Sequence, residues 1–284
     1  MACIIDGKRI SADIREKLKI DIANLKVERG IVPSLAVVIV GDGPASRVYV
    51  NNKKRACDEI GIMSYEFALP CDTSQAELLS LIDELNRRAD INGILVQMPL
   101  PAHINESSVI ERINPIKDVD AFHEINVGKL MTGNFKFLPC TPAGIVRLLD
   151  ESNIDIAGKH CVIIGRSNIV GKPLAMLMLH RDATVTICHS KTSNLAEICR
   201  TADILVSAVG RANFVTSDMV APGTVVIDVG INRGGDGKIR GDVDFENVKQ
   251  VASYITPVPG GVGPMTICML MHNAVTAALL QSGD

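Results

Sequence analysis

The sequence lacks the features that mark several classes of protein. Its eight cysteines form no CxxC pair and none has metal-ligand spacing to a histidine, which predicts no metal site and reduced thiols rather than disulfides. It has no run of about 18 apolar residues, and charged residues precede its first apolar run, so we expect no membrane span and no signal peptide. A net charge of −3 gives no general attraction to nucleic acid. Together these absences predict a soluble, cytoplasmic protein.

The length and composition are those of a globular α/β protein. The chain has 284 residues, 47% apolar and 21% charged, enough for two modest domains or one large unit. Apolar runs of strand length, polar on neither face, predict parallel strands covered by helices on both sides; they lie at 34–40, 93–99, 160–165, 183–188, 203–210 and 224–230. Helical periodicity lies between them, at 9–29, 45–60, 74–89, 142–152, 172–181, 193–201 and 266–281.

The chain is predicted to divide near residue 140. The stretch 127–142 is rich in glycine and asparagine, and Thr141 and Pro142 have the pattern of an N-cap and a first helical residue. We therefore expect an N-terminal α/β lobe over 1–139 and a C-terminal nucleotide-binding lobe over 140–264. The final helix, within 265–284, is expected to return to the first lobe.

A strand, a glycine-containing loop and a helix follow one another in HCVIIGRSNIVGKPLAMLML. Gly165 and Gly171 are six residues apart, which departs from the usual dinucleotide spacing, and a plain strand–helix turn would explain this loop equally well. The next strand ends in His189, Ser190 and Lys191, where an NAD site normally has a carboxylate. With Arg166 in the loop, these residues favour the 2′-phosphate of NADP, although either cation alone would be interpreted as a solvated loop charge.

The candidate chemical residues lie in the first lobe. Tyr49 and Lys53 share a helix face, and a lysine held near a phenol in a dry cleft can transfer protons, but such pairs are more often surface pairs. Gln97 interrupts an apolar strand and is either a satisfied core amide or a ligand contact. Asp118 and Asp120 follow Pro115 in a loop, where acids are more often solvated. The turn PGGVGP, 259–264, is either a rigid turn or a close approach to a flat ligand.

Eight segments in this order resemble the bifunctional methylenetetrahydrofolate dehydrogenase/methenyltetrahydrofolate cyclohydrolase family, and the match covers nearly the whole chain. They are SRVYVNNKKRAC (46–57), GILVQMPLP (93–101), KDVDAFH (117–123), PCTPAG (139–144), GRSNIVGKP (165–173), HSKT (189–192), DVGINR (228–233) and TPVPGGVGPMT (256–266). The resemblance implies a folate-binding catalytic lobe, a Rossmann-like NADP lobe, a homodimer and a place in one-carbon metabolism that serves purine, methionine and histidine biosynthesis.

The resemblance also implies residue roles. Lys53 is the acid/base, Tyr49 stacks near the pterin, Gln97 tunes Lys53, and Asp120 grips the pterin. The substrate contacts it implies are Tyr49, Lys53, Val96, Gln97, Met98, Asp120 and the turn Pro259, Gly260, Gly261, Val262, Gly263. The cofactor contacts are Gly165, Arg166, Ser167, Ser190 and Ile231. One departure is Ala121, where the family usually has glycine, and its methyl is expected to shift Asp120.

The implied reaction is oxidation of 5,10-methylenetetrahydrofolate to the methenyl form, followed by hydrolysis to 10-formyltetrahydrofolate. Three alternatives stay open from the residues alone. A dehydrogenase of the family without hydrolytic activity is one, although Lys53 and Gln97 together argue against it. A two-lobed NADP oxidoreductase acting on a small hydroxy acid is another, but it needs a proton donor that the sequence does not place. The third is an NADP sensor without turnover.

Overall fold

The computed structural model describes residues 1–41, 43–235 and 237–283. For residues 44–46, at the start of the second helix, it describes the backbone but not the side chains. The side chain of Ser46, which opens the segment SRVYVNNKKRAC, is therefore outside the described part. The described strands are β1 Cys3–Ile4, β2 Ser34–Val40, β3 Met63–Leu69, β4 Gly93–Val96, β5 His160–Ile164, β6 Thr184–Cys188, β7 Ile204–Ser207, β8 Val225–Asp228, β9 Asn232–Arg233, β10 Ile239–Arg240 and β11 Tyr254–Ile255. The described helices are α1 Gly7–Arg29, α2 Pro44–Ile60, α3 Gln75–Arg87, α4 Glu106–Arg112, α5 Glu124–Thr132, α6 Cys140–Glu151, α7 Gly171–Leu179, α8 Leu195–Arg200, α9 Phe245–Val248 and α10 Val262–Gln281.

The chain divides into two compact units, which we name by their sheets. The six-stranded unit contains residues 1–12 and 141–266, and the three-stranded unit contains 13–140 and 267–284. The sequence predicts residues 1–12 as part of the other lobe. They group with the six-stranded unit because β1 pairs in parallel with β11, with Cys3 opposite Tyr254 and Ile4 opposite Ile255.

The three-stranded unit is built on a parallel sheet in the order β3-β2-β4. Strand β2 is buried along its whole length, as its continuous apolar run predicts for a strand covered on both faces. Side chains from the sheet pack with α3 and α4 in one apolar cluster that includes Val38, Leu78, Ile82, Ile94 and Val109. Strand β3 was missed by sequence analysis because it is a half-buried edge strand whose burial alternates along MSYEFAL.

The six-stranded unit has the strand order β1-β11-β8-β7-β5-β6, with every pairing parallel. Strands β5, β7 and β8 are buried almost completely, and a separate hairpin joins β9 to β10. The predicted α/β class is thus confirmed. The predicted cap at Thr141 is wrong, since α6 already begins at Cys140.

Helix α10 is apolar on all sides. By length and composition it could cross a membrane, but 56% of its most apolar window is buried inside the structure, and core helices of soluble proteins satisfy the same criterion. Its residues from Ile267 onward belong to the three-stranded unit. There Asn273 Nδ2 donates to Val119 O and Leu138 O, at 2.8 Å each, and fixes the helix against the loops that carry the candidate site.

Candidate active site and cofactor site

A lysine and a glutamine form the centre of the candidate active site in the three-stranded unit. Helix α2 carries Lys53, and its Nζ donates to Oε1 of Gln97 at 3.0 Å. Gln97 follows the last residue of β4 rather than lying inside the strand, and its own N–H donates to Val38 O at 2.8 Å. The Gln97 Nε2 donates to Met98 O at 2.8 Å, so the amide oxygen is the atom directed at the ammonium.

The Lys53 ammonium lies in a desolvated environment, although the residue as a whole exposes part of its surface. Burial lowers the pKa of Lys53, and the negative charge of Asp120 opposes that effect. Burial also raises the pKa of Asp120 to about 6; Lys53 opposes this rise and Asp118 adds to it. The ammonium and the carboxyl therefore both have pKa values displaced toward neutrality, which is the range that proton transfer requires.

The loop that carries Asp120 is held by a second buried acid. Asp118 is 2% exposed, and its Oδ2 accepts the His123 N–H at 2.9 Å and the Asn126 amide at 2.8 Å. Burial raises the pKa of Asp118 as well. Asp118 is thus not the solvated loop acid that is the commoner case, because the chain after β4 returns to the sheet and the N–H of Ile94 bonds to Lys117 O at 2.8 Å; Asp120 keeps part of its surface exposed.

Ala121 is strained in a way that the sequence did not predict. It has a φ of 59°, in the left-handed region, and is 1% exposed. Its N–H donates to Asp118 O at 3.2 Å, which closes the turn around Asp120. Glycine, which has no Cβ, adopts this conformation at lower cost. The alanine at this position therefore strains the backbone of the turn before it affects the Asp120 side chain.

The other predicted substrate residues are divided between the two units. Tyr49 is half-buried, one turn before Lys53 on α2, and Val96 is buried at the end of β4. Met98 lines a small cavity together with Val96, Asp118 and Asp120. The turn 259–263 belongs to the six-stranded unit, where Gly260 has a φ of 110° and its carbonyl accepts the Lys8 N–H at 2.9 Å.

Sequence reasoning missed one residue beside the acid. Cys140 Sγ lies 4.0 Å from Asp120 Oδ1 and 3.5 Å from Val119 O, and the thiol is buried. Burial raises its pKa well above the ordinary value, and the nearby Asp120 charge acts in the same direction, so the thiol stays neutral. The only signal in the sequence was its place in PCTPAG. Among the residues that the structure describes, no group of three His, Cys, Asp or Glu side chains is placed to hold a metal ion.

A cavity of about 490 Å³ lies at the carboxyl ends of β5, β6 and β7 in the six-stranded unit. Ligands of open parallel sheets bind at this edge, and the volume is within the range of about 300–1,000 Å³ that is typical of small-molecule sites. Its lining includes Gly165, Arg166, His189 and Ser190. The lining does not include Lys191, which is exposed and donates its N–H to His189 Nδ1 at 3.1 Å.

Two glycines allow the backbone segments beside the cavity to pack closely against one another. Gly165 has a φ of 133°, and a Cβ there would lie 2.5 Å from Ala208 O. A Cβ on Gly171, the first residue of α7, would lie 2.1 Å from Gly165 O. Ser167 closes this loop, because its Oγ accepts the N–H groups of Val170 at 3.2 Å and Gly171 at 3.4 Å. The loop therefore joins the end of β5 closely to the start of α7, and a helix start after such a loop is where a dinucleotide phosphate can bind.

Two further residues of this cavity were not predicted. Arg211 and Phe214 both line it, and the Arg211 guanidinium lies 4.9 Å from the centre of the Phe214 ring. Both follow β7, beyond the apolar run 203–210, in a stretch for which the sequence predicts no element or role. Ile231, which the resemblance implies as a cofactor contact, is 45% exposed after β8 and is not part of this lining.

Comparison with known proteins identifies the family. The chain matches the family models described as tetrahydrofolate dehydrogenase/cyclohydrolase, catalytic domain, over residues 5–120, and the NAD(P)-binding domain of the same family over residues 139–282. The bifunctional protein FolD of Ruminiclostridium cellulolyticum is 59% identical over 282 residues, which are 99% of this chain and 99% of the relative.

Solved structures agree with these matches. The bifunctional enzyme FolD, methylenetetrahydrofolate dehydrogenase/cyclohydrolase, from Campylobacter jejuni is 51% identical and superposes with a TM-score of 0.96 over 99% of both chains. The Trypanosoma brucei N5,N10-methylenetetrahydrofolate dehydrogenase-cyclohydrolase, solved with NADP cofactor and an inhibitor, is 36% identical, with a TM-score of 0.95 over 100% of this chain and 99% of that one. The monofunctional alternative loses its support, because the high-identity relatives are bifunctional. The chain belongs to the tetrahydrofolate dehydrogenase/cyclohydrolase family and is a bifunctional enzyme with both activities.

Proposed function

We propose that the enzyme oxidises 5,10-methylenetetrahydrofolate with NADP⁺ and hydrolyses the methenyl product to 10-formyltetrahydrofolate, with Lys53 as the acid/base of the hydrolytic step. The observation that carries the assignment is the Lys53 Nζ–Gln97 Oε1 bond of 3.0 Å at a desolvated ammonium whose pKa is lowered. A lysine with an ordinary pKa would hold its proton at neutral pH and could not serve as a base.

The oxidation needs no protein base. Gly165, Arg166 and Ser190 would hold NADP⁺, which would supply the acceptor for the hydride of the methylene carbon. The positive charge of the methenyl product is shared by its two nitrogens. The contribution of this chain to that step is to orient the folate and exclude water. For the folate, we propose that Tyr49 packs near the pterin, that Asp120 hydrogen-bonds its ring, and that Val96, Met98 and the turn 259–263 provide further contacts.

The hydrolysis requires proton transfer at two atoms. Water adds to the methenyl carbon and gives up a proton, which the neutral Lys53 amine accepts. The bond from that carbon to N5 then breaks, and the Lys53 ammonium returns its proton to N5, while the remaining hydroxyl proton is released as the formyl carbonyl forms. Gln97 directs the ammonium, because its amide oxygen accepts from Nζ while its nitrogen is held by Met98 O.

The cofactor is proposed to be NADP rather than NAD. Arg166 and Ser190 line the cavity after β5 and β6, and the described residues at the end of β6 include no carboxylate to hold a ribose 2′-hydroxyl. A charge-assisted bond to the 2′-phosphate contributes roughly 1.5–3 kcal/mol, so kcat/KM for NADP⁺ should exceed that for NAD⁺ by about tenfold or more. Gly165, Ser167 and Ile231 complete the proposed cofactor contacts.

One assay tests the proposal. Methylenetetrahydrofolate is supplied with NADP⁺ or NAD⁺, and NADPH, methenyltetrahydrofolate and the formyl product are followed separately. Equal kcat/KM for the two cofactors would overturn the 2′-phosphate assignment, and methenyl accumulation without formyl product would overturn the hydrolytic assignment.

We further propose a cytoplasmic homodimer that supplies one-carbon units for purine, methionine and histidine biosynthesis. The support is the family membership together with the eight free cysteines, six of them buried. Light scattering should then give about twice the 30.5 kDa chain mass, and a fully active monomer would show that dimerisation is dispensable.

A further inference from the structure

One buried carboxylate holds a wall of the cofactor cavity. Asp242 is 0% exposed, and its Oδ2 accepts the N–H groups of Val209 at 2.7 Å and Gly210 at 3.1 Å. Its Oδ1 accepts the N–H of Arg211 at 2.9 Å. Val209 and Arg211 both line the cavity, so three successive backbone N–H groups of this wall are directed away from the cavity and toward one side chain.

The same carboxylate joins two more segments to that wall. Asn232 Nδ2 donates to Asp242 Oδ1 at 2.9 Å, and Ser207 Oγ lies 3.4 Å from Oδ2. Asn232 is the neighbour of Ile231, a proposed cofactor contact after β8. Asp242 therefore fixes the chain after β7 relative to the chain after β8.

A second buried acid fixes Asp242 itself. Asp228 is 3% exposed at the end of β8, and it accepts the N–H groups of Asp242 at 2.8 Å, Val243 at 2.9 Å and Gly230 at 2.9 Å. A Cβ on Gly230 would lie 2.1 Å from Asp242 Oδ1, and one on Gly241 would lie 1.8 Å from Asp228 Oδ2. The backbone thus approaches both carboxyls more closely than any side chain would permit.

We infer that Asp242 is a positioning residue for the cofactor: its carboxylate sets the shape of the cavity wall at 209–211 and thereby the affinity for NADP, and Asp228 holds it in place. The inference rests on the proposed cofactor site. Asp242 does not reach the cofactor, since it is fully buried behind the backbone that it holds. Both carboxylate oxygens of Asp242 accept at least two hydrogen bonds. An asparagine of the same shape would turn its NH₂ group toward these N–H donors and lose at least two of the bonds.

The decisive variant is Asp242→Asn, and the second activity is its internal control. The KM for NADP⁺ in the oxidation, and the Kd for NADPH by fluorescence, should rise about tenfold or more, as expected for the loss of hydrogen bonds to a charged acceptor. Hydrolysis of added methenyltetrahydrofolate, measured without NADP, should fall much less, because Lys53 and Gln97 belong to the other unit and only the proposed folate turn 259–263 shares the unit of Asp242.

Two variants complete the test. Asp203→Asn is the matched control, because Asp203 also accepts a backbone N–H, that of His160 at 2.8 Å, but at the amino end of the sheet; its NADP⁺ KM should not change. Asn232→Ala removes the 2.9 Å bond to Asp242 Oδ1 and should raise the NADP⁺ KM less than Asp242→Asn does. If Asp242→Asn does not fold, Asn232→Ala decides the matter alone.

Three outcomes overturn the inference. The first is an unchanged NADP⁺ KM in both Asp242→Asn and Asn232→Ala. The second is an equal loss of oxidation and hydrolysis in Asp242→Asn, which would assign Asp242 only to stability. The third is an equal rise of KM in Asp203→Asn. If any of these outcomes is seen while the wild-type enzyme oxidises the folate with NADP⁺, only this inference is refuted. If the wild-type enzyme shows no NADP⁺-dependent oxidation, the proposed function is refuted.

Discussion

Replacing Lys53 by methionine should separate the two activities. Methionine keeps much of the apolar stem of the lysine but removes the ammonium that donates to Gln97 Oε1 at 3.0 Å. Hydrolysis loses its acid/base, which costs about 10²–10⁴ in rate, or about 3–5 kcal/mol of barrier. Oxidation transfers a hydride and needs no protein proton donor, so it should fall less, by the amount that poorer folate placement costs.

The electrostatics of the site predict that this variant still folds. Burial lowers the pKa of Lys53 despite the opposing charge of Asp120. Desolvation therefore destabilises the ammonium by more than its charged neighbours stabilise it. Removing the ammonium should therefore leave the free energy of unfolding unchanged or raise it slightly at neutral pH. In the same variant Asp120 loses the charge that opposes its own burial, so the pKa of Asp120 should rise above about 6.

The measurement is paired on one preparation. Methenyl formation and methenyl hydrolysis are followed by absorbance, and urea unfolding reports stability. Lys54→Met is the matched control, since Lys54 is the next residue of α2 and is exposed; it should change neither activity. Gln97→Ala should act in the same direction as Lys53→Met, and the double variant should be far from additive because both changes disable one unit. Wild-type hydrolysis by Lys53→Met would refute the catalytic assignment, and equal loss of both activities would reduce Lys53 to a substrate contact.

Two more predictions concern the loop of Asp120. Because its pKa is about 6 in the folded protein against 3.8 ordinarily, the folded state binds the proton more tightly, and stability falls as pH rises from about 4 to 6. At pH 8, Asp120→Asn should therefore unfold at a higher urea concentration than the wild type. Its free energy of unfolding should rise by at most about 3 kcal/mol, and by less because Lys53 loses a partner, whereas at pH 4 it should not rise. Equal differences at both pH values would contradict the burial argument. Ala121→Gly should change the free energy of unfolding by less than about 1 kcal/mol, because relief of the left-handed backbone offsets the lost methyl and the freer unfolded chain. Ala121→Val should lose more than about 2 kcal/mol, and urea unfolding of both variants checks the pair.

The sequence was sufficient where one local rule decided the structure. Buried parallel strands such as 34–40 are recognisable as continuous apolar runs. The helix that carries Lys53 is predicted to begin at residue 45 and begins at Pro44. The edge strand Met63–Leu69 was missed because one of its sides is wet and its pattern is weak. The pairing of the first residues with the six-stranded unit could not be predicted because a two-residue strand has no periodicity, and its partner β11 is about 250 residues away in the chain.

The candidate site was predictable only in part for a related reason. Helical spacing could bring Tyr49 and Lys53 to one face, but it could not show that Gln97, 44 residues later, meets the ammonium; only the resemblance implied it. The burial of Asp118 depends on Asn126 and the returning loop, neither of which a local pattern reveals. Asp228 stood out only as the first residue of the segment DVGINR, and Asp242 had no sequence signal beyond its glycine neighbour, since most of their donors are backbone N–H groups from three segments.

The two carboxyls whose pKa is raised to about 6 reach that value by different balances, and the difference separates their roles. At Asp120 burial is opposed by a single movable charge, the Lys53 ammonium, so its protonation changes whenever Lys53 gains or loses a proton. At Asp228 burial is opposed by three backbone N–H groups, which are fixed by the fold, while the charge of the neighbouring Asp242 adds to the rise. The group that stabilises the Asp120 carboxylate is thus an ammonium that can exchange a proton, whereas the groups that stabilise the Asp228 carboxylate are backbone N–H groups that cannot. This contrast agrees with the proposed role of Asp120 at the substrate and with the proposed role of Asp228, with Asp242, in positioning the cofactor site.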